Sequence, residues 1–248
     1  MDLGLSGRTA IVGGGSAGIG LACAEALVGE GANVALFARG PEALEREAER
    51  LGALAVAGDA AEAADLERLV EQTLERFGAI DVLVLNSGGP PRTRALDVTD
   101  AQVEDAVALL LLSAVRLVRL CRPHLEASGH GRVIAITSSA VKEPVDNLAL
   151  SNAVRPGLIG WLKTVARELG PAGVTVNAVA PGRIDTARLH EVYGDAGPTE
   201  SDLAVIPLRR LGSPRELGDV VCFLASDRAA YVTGATIAVD GGLTRGLL

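Results

Sequence analysis

A glycine-rich segment near the start of the chain has the spacing of a phosphate-binding loop. Residues 12–20 read VGGGSAGIG and contain the pattern GxxxGxG. Glycines permit a tight turn and a close approach of backbone to a pyrophosphate, and a helix N-terminus after them offers free N–H groups to the anion. A glycine-rich turn without a ligand is the alternative, but the position directly after a first strand favours the phosphate loop. The residues predicted to contact the phosphates are Gly14, Ser16, Gly18, Ile19 and Gly20.

The end of the second predicted strand indicates which dinucleotide would bind. Residues 36–39 read LFAR. Proteins that bind NAD usually place an acidic residue here for the ribose 2′-hydroxyl, whereas an arginine accommodates a 2′-phosphate. Here the strand end has Ala38 instead of an acidic residue, and Arg39 supplies a positive charge. The sequence therefore predicts NADP(H). The alternative is that Arg39 is only a solvated loop residue.

The segments around these residues alternate between short aliphatic runs and longer amphipathic stretches. Strands too apolar to show a polar face indicate a parallel sheet that is covered on both sides. The prediction is an α/β, doubly wound (Rossmann) sheet of about seven strands with helices on both faces. The predicted strands are 9–12, 33–37, 54–57, 80–85, 132–137, 174–179 and 236–239. The predicted helices are 19–29, 41–51, 61–77, 100–126, 148–169 and 215–225.

The same pattern predicts a single domain over residues 1–248. No linker, repeat or low-complexity tract interrupts it. Residues 183–208 have weak periodicity and several glycines and prolines, and this segment is predicted to be a mobile substrate lid.

Composition excludes several function classes. The 23 Lys and Arg stand against 31 Asp and Glu, and this acidic balance argues against a nucleic-acid partner, which needs a basic face. The most apolar stretch, 106–115, is shorter than the roughly 20 residues of a membrane span, and the N-terminus lacks a signal-peptide pattern. Three widely spaced cysteines fit reduced thiols in the cytoplasm, and the three histidines form no metal-binding pattern.

Several landmarks follow one another in an order that resembles the short-chain dehydrogenase/reductase family. Besides the glycine-rich loop, Asp59 follows the third strand, where the family places an Asp near the adenine. Residues 85–88 (LNSG) stand where the family has Asn-Asn-Ala-Gly, and residues 181–186 (PGRIDT) resemble its Pro-Gly-x-Ile-x-Thr segment on the nicotinamide side. The C-terminal segments 232–234 (VTG) and 239–242 (VDGG) resemble the 3-oxoacyl-acyl-carrier-protein reductase branch.

The resemblance implies hydride transfer between a nicotinamide and the carbonyl or alcohol carbon of a small-molecule substrate. It also implies a homodimer or homotetramer, with the long helices 100–126 and 148–169 paired across a two-fold axis and an apolar stripe at Leu158, Leu162, Val165 and Leu169. Beyond the glycine-rich loop and Arg39, the implied cofactor-binding residues are Asp59, Ala60, Asn86, Gly88, Arg155, Pro181, Gly182, Ile184 and Thr186.

The catalytic positions depart from the family pattern. The family serine corresponds to Ser138, but the family Tyr-x-x-x-Lys reads Ser151-Asn-Ala-Val-Arg155, and the family asparagine corresponds to Leu110. A phenol can be tuned toward neutrality, whereas an aliphatic hydroxyl is a far poorer acid and a serine is shorter. Arg155 keeps the positive charge, but its guanidinium stays protonated. We take Ser138, Ser151 and Arg155 as the candidate catalytic residues. The alternative is that Ser151 and Arg155 merely share a helix face and that Ser138 is an ordinary loop serine, with no chemical role for any of them.

Two functions remain open at this point. The first is an NADP(H)-dependent oxidoreductase with a modified proton relay, in which Ser151 through a water, Tyr193, His190 or Lys142 donates the proton. The second is an impaired, NADP(H)-binding pseudoenzyme that serves as a sensor or a partner subunit. A stiff loop at 88–94 (GGPPRTR) is predicted at the ligand-binding edge, with a rigid connection as its alternative. Arginines near the cleft hint at an anionic substrate: Arg92, Arg94, Arg155, Arg183 and Arg188.

Overall fold

The computed structural model describes residues 2–194 and 197–246, and their strands form one parallel sheet. The seven strands lie in the order β3-β2-β1-β4-β5-β6-β7, and every neighbouring pair is parallel. The predicted α/β doubly wound class is therefore confirmed. The strands are β1 (Thr9–Gly13), β2 (Asn33–Ala38), β3 (Leu54–Ala57), β4 (Val82–Leu85), β5 (Arg132–Ile136), β6 (Thr175–Pro181) and β7 (Thr236–Val239).

Helices cover both faces of this sheet. Buried aliphatic side chains of the strands pack against the helices on each side, in two large apolar clusters. β1, β4, β5 and β6 are buried along their whole length, as expected for strands between two helical layers. The helices are α1 (Gly18–Gly29), α2 (Pro41–Leu51), α3 (Ala63–Phe77), α4 (Asp100–Val107), α5 (Ser113–Ala127), α6 (Ala149–Leu169), α7 (Ala187–Tyr193), α8 (Glu200–Ala204) and α9 (Pro214–Ala225).

The long helix predicted over 100–126 is interrupted in the structure. A Thr99–Gln102 capping box starts α4, and a π-helical turn over Ala108–Leu112 separates α4 from α5. Its central residue, Leu110, is buried against Leu150 and Val154 of α6. Such turns often occur at functional sites. A 3.6-residue pattern cannot reveal this turn, because it inserts a residue without breaking the run of apolar side chains.

The apolar stripe of α6 packs inside the chain. Leu158, Leu162, Val165 and Leu169 are buried in the cluster formed with α3, α5 and their strands. These positions are therefore occupied by intramolecular packing. Pairing of the long helices across a two-fold axis stays a prediction.

The segment predicted as a lid contains two short helices. It holds α7, which Thr186 caps by accepting from the Leu189 amide, and α8, which a Thr199–Asp202 capping box starts. Asp195 and Ala196 lie outside the described residues. Within the part of the chain that is described, no helix combines the length and the apolarity that crossing a membrane requires.

Candidate active site

The switch point of the sheet lies between β1 and β4, where the strand order reverses. Asn86 follows β4, and its Nδ2 donates to the Gly13 carbonyl at 3.0 Å, which joins the ends of the two strands. Gly14 has φ +62°, and a Cβ atom there would lie 2.5 Å from Asn86 Nδ2. In open α/β sheets, ligands bind in the crevice at this point.

The start of α1 has the form of an anion cradle. Its N-cap residue, Ala17, makes no side-chain capping bond, and the first turn holds no acidic residue. A Cβ atom at Gly20 would collide with the Gly14 carbonyl oxygen, so the turn needs glycine there. Across the cleft, a Cβ atom on Gly182 would lie 2.6 Å from Asp240 Cβ. Uncapped N–H groups and a backbone free of side chains fit a dinucleotide pyrophosphate.

The residues predicted at the adenosine end lie after β2 and β3. Arg39 is exposed beyond β2 and makes no hydrogen bond or ion pair with the described residues. The Asp59 carboxylate accepts from the Ala61 amide at 2.9 Å, and its own amide donates to Asp65 at 2.8 Å. Ala60 is half-buried against the core. This arrangement leaves the Arg39 guanidinium available to a 2′-phosphate.

A cavity of about 430 Å³ joins the glycine-rich loop to the candidate catalytic residues. We call it the inner cavity. The predicted residues that line it are Gly18, Ile19, Gly20, Asn86, Gly88, Ser138, Ser151, Arg155, Pro181, Gly182, Ile184 and Thr186. The predicted residues that do not line it are Gly14, Ser16, Arg39, Asp59 and Ala60.

Ser151 and Arg155 form a hydrogen-bonded pair one turn apart on α6. Arg155 Nε donates to Ser151 Oγ at 3.0 Å, and Arg155 Nη1 donates to the Ile136 carbonyl at 3.3 Å. Both side chains are buried. Because the Ser151 oxygen accepts from the guanidinium, its hydroxyl hydrogen remains available to another acceptor.

Arg155 carries a buried charge without a carboxylate partner among the described residues. Burial, with a smaller contribution from the charge of Arg188, lowers the pKa of Arg155 to about 10. The group therefore stays protonated at neutral pH.

Ser138 follows β5 and borders two cavities. Its Oγ accepts from the Ala140 amide at 3.1 Å, so its hydrogen is also free to donate. It lines the inner cavity and a second cavity of about 630 Å³, which we call the outer cavity. Ser138 and Ser151 thus both line the inner cavity, and each hydroxyl oxygen accepts a bond that leaves its proton available.

Leu110, which the sequence predicts at the position of the family asparagine, lies in apolar surroundings. Leu110 lines a small void of about 40 Å³ together with Asn86, Ser113 and Arg155. The Ser113 hydroxyl is bound to the Leu109 carbonyl. Leu110 therefore brings an apolar side chain to the neighbourhood of Arg155 and offers no group that could hold a water.

The other proposed proton donors occupy different places. Tyr193 lines the outer cavity with Ser138, whereas His190 is exposed and paired with Asp185 at 2.6 Å. Lys142 lines neither the inner nor the outer cavity. In the described residues, no group of three or more His, Cys, Asp and Glu side chains could hold a metal ion.

Two further contacts position the site and were not predicted from the sequence. The Asn152 side chain pairs with both backbone groups of Val145, at 2.9 and 3.1 Å, and fixes the loop before α6. Arg188 donates to the carbonyls of Gly89 and Pro90 at 3.3 and 3.1 Å, which ties α7 to the 88–94 loop. No local pattern marks either contact, since each joins a side chain to backbone in another segment.

Comparisons with known proteins identify relatives over almost the whole chain. A family model described as enoyl-(acyl carrier protein) reductase matches residues 14–244. The 3-oxoacyl-[acyl-carrier-protein] reductase FabG of Escherichia coli (strain K12) is 35% identical over 239 residues, which cover 96% of this chain and 97% of FabG.

Solved structures are similar over almost the whole chain. L-Sorbose reductase from Gluconobacter frateurii, complexed with NADPH and L-sorbose, has a TM-score of 0.94 and 33% identity, with 100% of both chains covered. An NADPH-bound short chain oxidoreductase from Pseudomonas aeruginosa PAO1, described as containing an atypical catalytic center, has a TM-score of 0.91 and 31% identity, with 96% and 97% covered. The chain therefore belongs to the short-chain dehydrogenase/reductase family of NAD(P)H-dependent oxidoreductases.

Proposed function

We propose that the chain is an NADP(H)-dependent carbonyl reductase in which Ser151 and Arg155 replace the family tyrosine and lysine. The observation that carries this proposal is the hydrogen bond from Arg155 Nε to Ser151 Oγ, inside the cavity that also holds Ser138. This bond supports the proposal because it joins a hydroxyl group to a fixed positive charge on the wall of that cavity.

Each residue has a distinct role in the proposed reaction. NADPH, when bound, supplies the hydride. Ser138 donates a hydrogen bond to the carbonyl oxygen, and its own oxygen is held by the Ala140 amide. The Arg155 charge stabilises the negative charge that develops on that oxygen, because a buried charge acts strongly in a site of low dielectric. Ser151 passes its hydroxyl proton to the carbonyl oxygen, and a proton from solvent that enters the inner cavity restores the hydroxyl group.

The preference for NADP(H) rests on Arg39 and Ala38. The exposed guanidinium beyond β2 has no partner in the described part of the chain, and no carboxylate stands at the strand end to pair with a ribose hydroxyl. The NADPH-bound structures to which the chain is similar support this choice. For the substrate, we propose a small carbonyl compound, with a 3-oxoacyl group as one candidate, and residues 183–208 as the lid over it.

The test measures NADPH affinity and turnover separately. NADPH binding is titrated by fluorescence, and NADPH oxidation is followed with a panel of ketones, β-ketoesters and acyl thioesters. We expect saturable oxidation, and a fall of about 100-fold in kcat for Ser138→Ala, since removing one oxyanion donor costs about that much. Ser6→Ala, an exposed serine before β1, is the matched control.

A binding protein without turnover is the second candidate. It is favoured by the burial of Ser151, only 5% exposed, and by the apolar Leu110 beside Arg155. Tight NADPH binding with no oxidation on any substrate of the panel would establish it.

In the double variant Ser151→Tyr with Arg155→Lys, ketone reduction should rise. If a folded, NADPH-binding double variant gains nothing, the alignment of these two positions is wrong.

A further inference from the structure

The inner cavity has an unbalanced positive lining. Arg92, Arg155 and Arg188 all line it, and no Asp or Glu among the described residues does so. The chain as a whole has a formal charge of −8, so this concentration of positive charge runs against the composition. A cleft lined by one sign of charge attracts a ligand of the other sign.

None of these three guanidinium groups is neutralised by a carboxylate within the described residues. Arg155 donates to a hydroxyl and a carbonyl, and Arg188 donates to two carbonyls. Arg92 makes neither a hydrogen bond nor an ion pair across residues 2–194 and 197–246. Carbonyl dipoles orient a guanidinium but leave its full charge in place.

The other two arginines near the cleft behave differently. Arg94 lies 3.9 Å from the Asp97 carboxylate. Arg183 lies 3.7 Å from the Asp202 carboxylate and donates to the Asp202 carbonyl at 2.7 Å. Of the five arginines that the sequence places near the cleft, two are therefore paired with a carboxylate of the described residues and three are not.

The phosphates of a dinucleotide do not account for Arg92. The uncapped start of α1, at Gly18–Gly20, offers backbone N–H groups for a pyrophosphate. Arg92 instead borders the outer cavity as well as the inner one, as Ser138 and Leu148 also do, and the glycine-rich loop does not line the outer cavity. Arg92 thus lines both cavities, as does Ser138, whose hydroxyl group faces the carbonyl in the proposed reaction.

We propose that the substrate is an oxo acid, a carbonyl compound whose carboxylate lies one or two bonds from the reacting carbon, and that Arg92 binds this carboxylate. The inference rests on the proposed function and adds the substrate class to it. Ser138 and Arg92 would then hold the two polar ends of one short molecule, while Arg155 and Arg188 add positive potential behind it. An arginine is suited to this role because its planar fork matches a carboxylate.

The experiment compares acids with their neutral esters. NADPH oxidation is measured with 2-oxobutanoate and 3-oxobutanoate and with the methyl ester of each. We expect kcat/KM for the better acid to exceed that for its ester at least tenfold. In Arg92→Gln, the ratio of acid to ester should fall by roughly 10- to 100-fold, the range for one charge-assisted hydrogen bond, and Arg92→Lys should be intermediate. Arg94→Gln is the matched control and should keep the ratio of the unmodified protein.

Two measurements separate this inference from the proposed function. Calorimetric titration of the NADP⁺ complex with each oxo acid reports carboxylate binding without turnover. Binding that Arg92→Gln abolishes supports the inference even if no substrate is reduced, and in that case only the proposed function fails. Turnover of the esters with no preference for either acid, or oxo-acid binding that Arg92→Gln leaves intact, overturns the inference while the reductase stands. If oxo-acid binding weakens in Arg92→Gln only in proportion to a rise in the NADPH dissociation constant, Arg92 binds the cofactor and the inference is also overturned.

Discussion

Replacing Arg155 with methionine should make the ligand-free protein more stable. Burial and the charge of Arg188 lower the pKa of Arg155 to about 10. A lowering of this size corresponds to about 3 kcal/mol of cost to the charged form in the folded state. The variant loses the hydrogen bonds to Ser151 and Ile136, each worth about 1 kcal/mol, and methionine can fill the same space. The net expectation is a gain of about 1–2 kcal/mol in the free energy of unfolding.

Urea unfolding of the ligand-free protein at pH 7 measures this gain. Arg119→Met, an exposed arginine of α5, is the matched control and should change stability by less than about 0.5 kcal/mol. For a protein of this size the gain corresponds to a rise in Tm of about 2–8 °C. Arg155 is charged in both folded and unfolded states while the pH stays below about 10, so the difference between variant and parent should be constant from about pH 5 to pH 9.

The same substitution should impair function. NADPH should stabilise Arg155→Met less than it stabilises the parent, because the positive charge beside the cofactor-binding cleft is gone. A variant that is less stable than the parent by more than about 1 kcal/mol would refute the reasoning, since it would mean that the two hydrogen bonds outweigh the cost of the buried charge. A gain in stability that disappears between pH 9 and pH 5 would refute it as well.

Three further outcomes can be checked. Arg39→Ser should raise the KM for NADPH roughly 10- to 100-fold and leave the KM for NADH within about threefold in steady-state kinetics, and equal losses with both would remove Arg39 from the 2′-phosphate site. Gly20→Ala should abolish NADPH binding in a fluorescence titration, because its Cβ atom would collide with the Gly14 carbonyl, and an unchanged dissociation constant would contradict that geometry. Hydrogen bonds from Arg210 and the Ser213 amide lower the pKa of Glu216 to about 2, so the stabilisation that Glu216→Gln removes should be present above about pH 4.5 and lost as the pH falls toward 2, as measured by urea unfolding across that range.

Much of the fold follows from local patterns. The seven strands occur where aliphatic runs were predicted, and α2 begins at Pro41 and ends at Leu51, as the proline and the charge pattern indicate. Element ends were less predictable. β4 covers Val82–Leu85 rather than 80–85, and the carboxylate of Asp81, directly before it, accepts from the Thr9 amide at 2.8 Å. That bond joins residues 72 positions apart, and no pattern within one segment reports it.

The residues of the candidate site could be predicted from the sequence, but which of its arginines are paired with a carboxylate could not. The spacing of the glycine-rich loop and the order of the motifs identify which residues meet at the carboxyl edge of the sheet. The π-helical turn at Ala108–Leu112 and the inward packing of the α6 stripe had no signal, since both depend on how α4, α5 and α6 pack against each other.

The sequence by itself determined the α/β class, and it predicted a phosphate loop and the positions of Ser151 and Arg155 in place of the family tyrosine and lysine, because residue type, spacing and strand–helix alternation are properties of the linear chain. Only the tertiary structure decided that Arg155 holds Ser151, that Asp202 and Asp97 balance Arg183 and Arg94, and that the inner cavity remains positive. The physical reason is that the effect of a charge depends on what stands within a few ångströms of it, and folding brings those neighbours from distant segments.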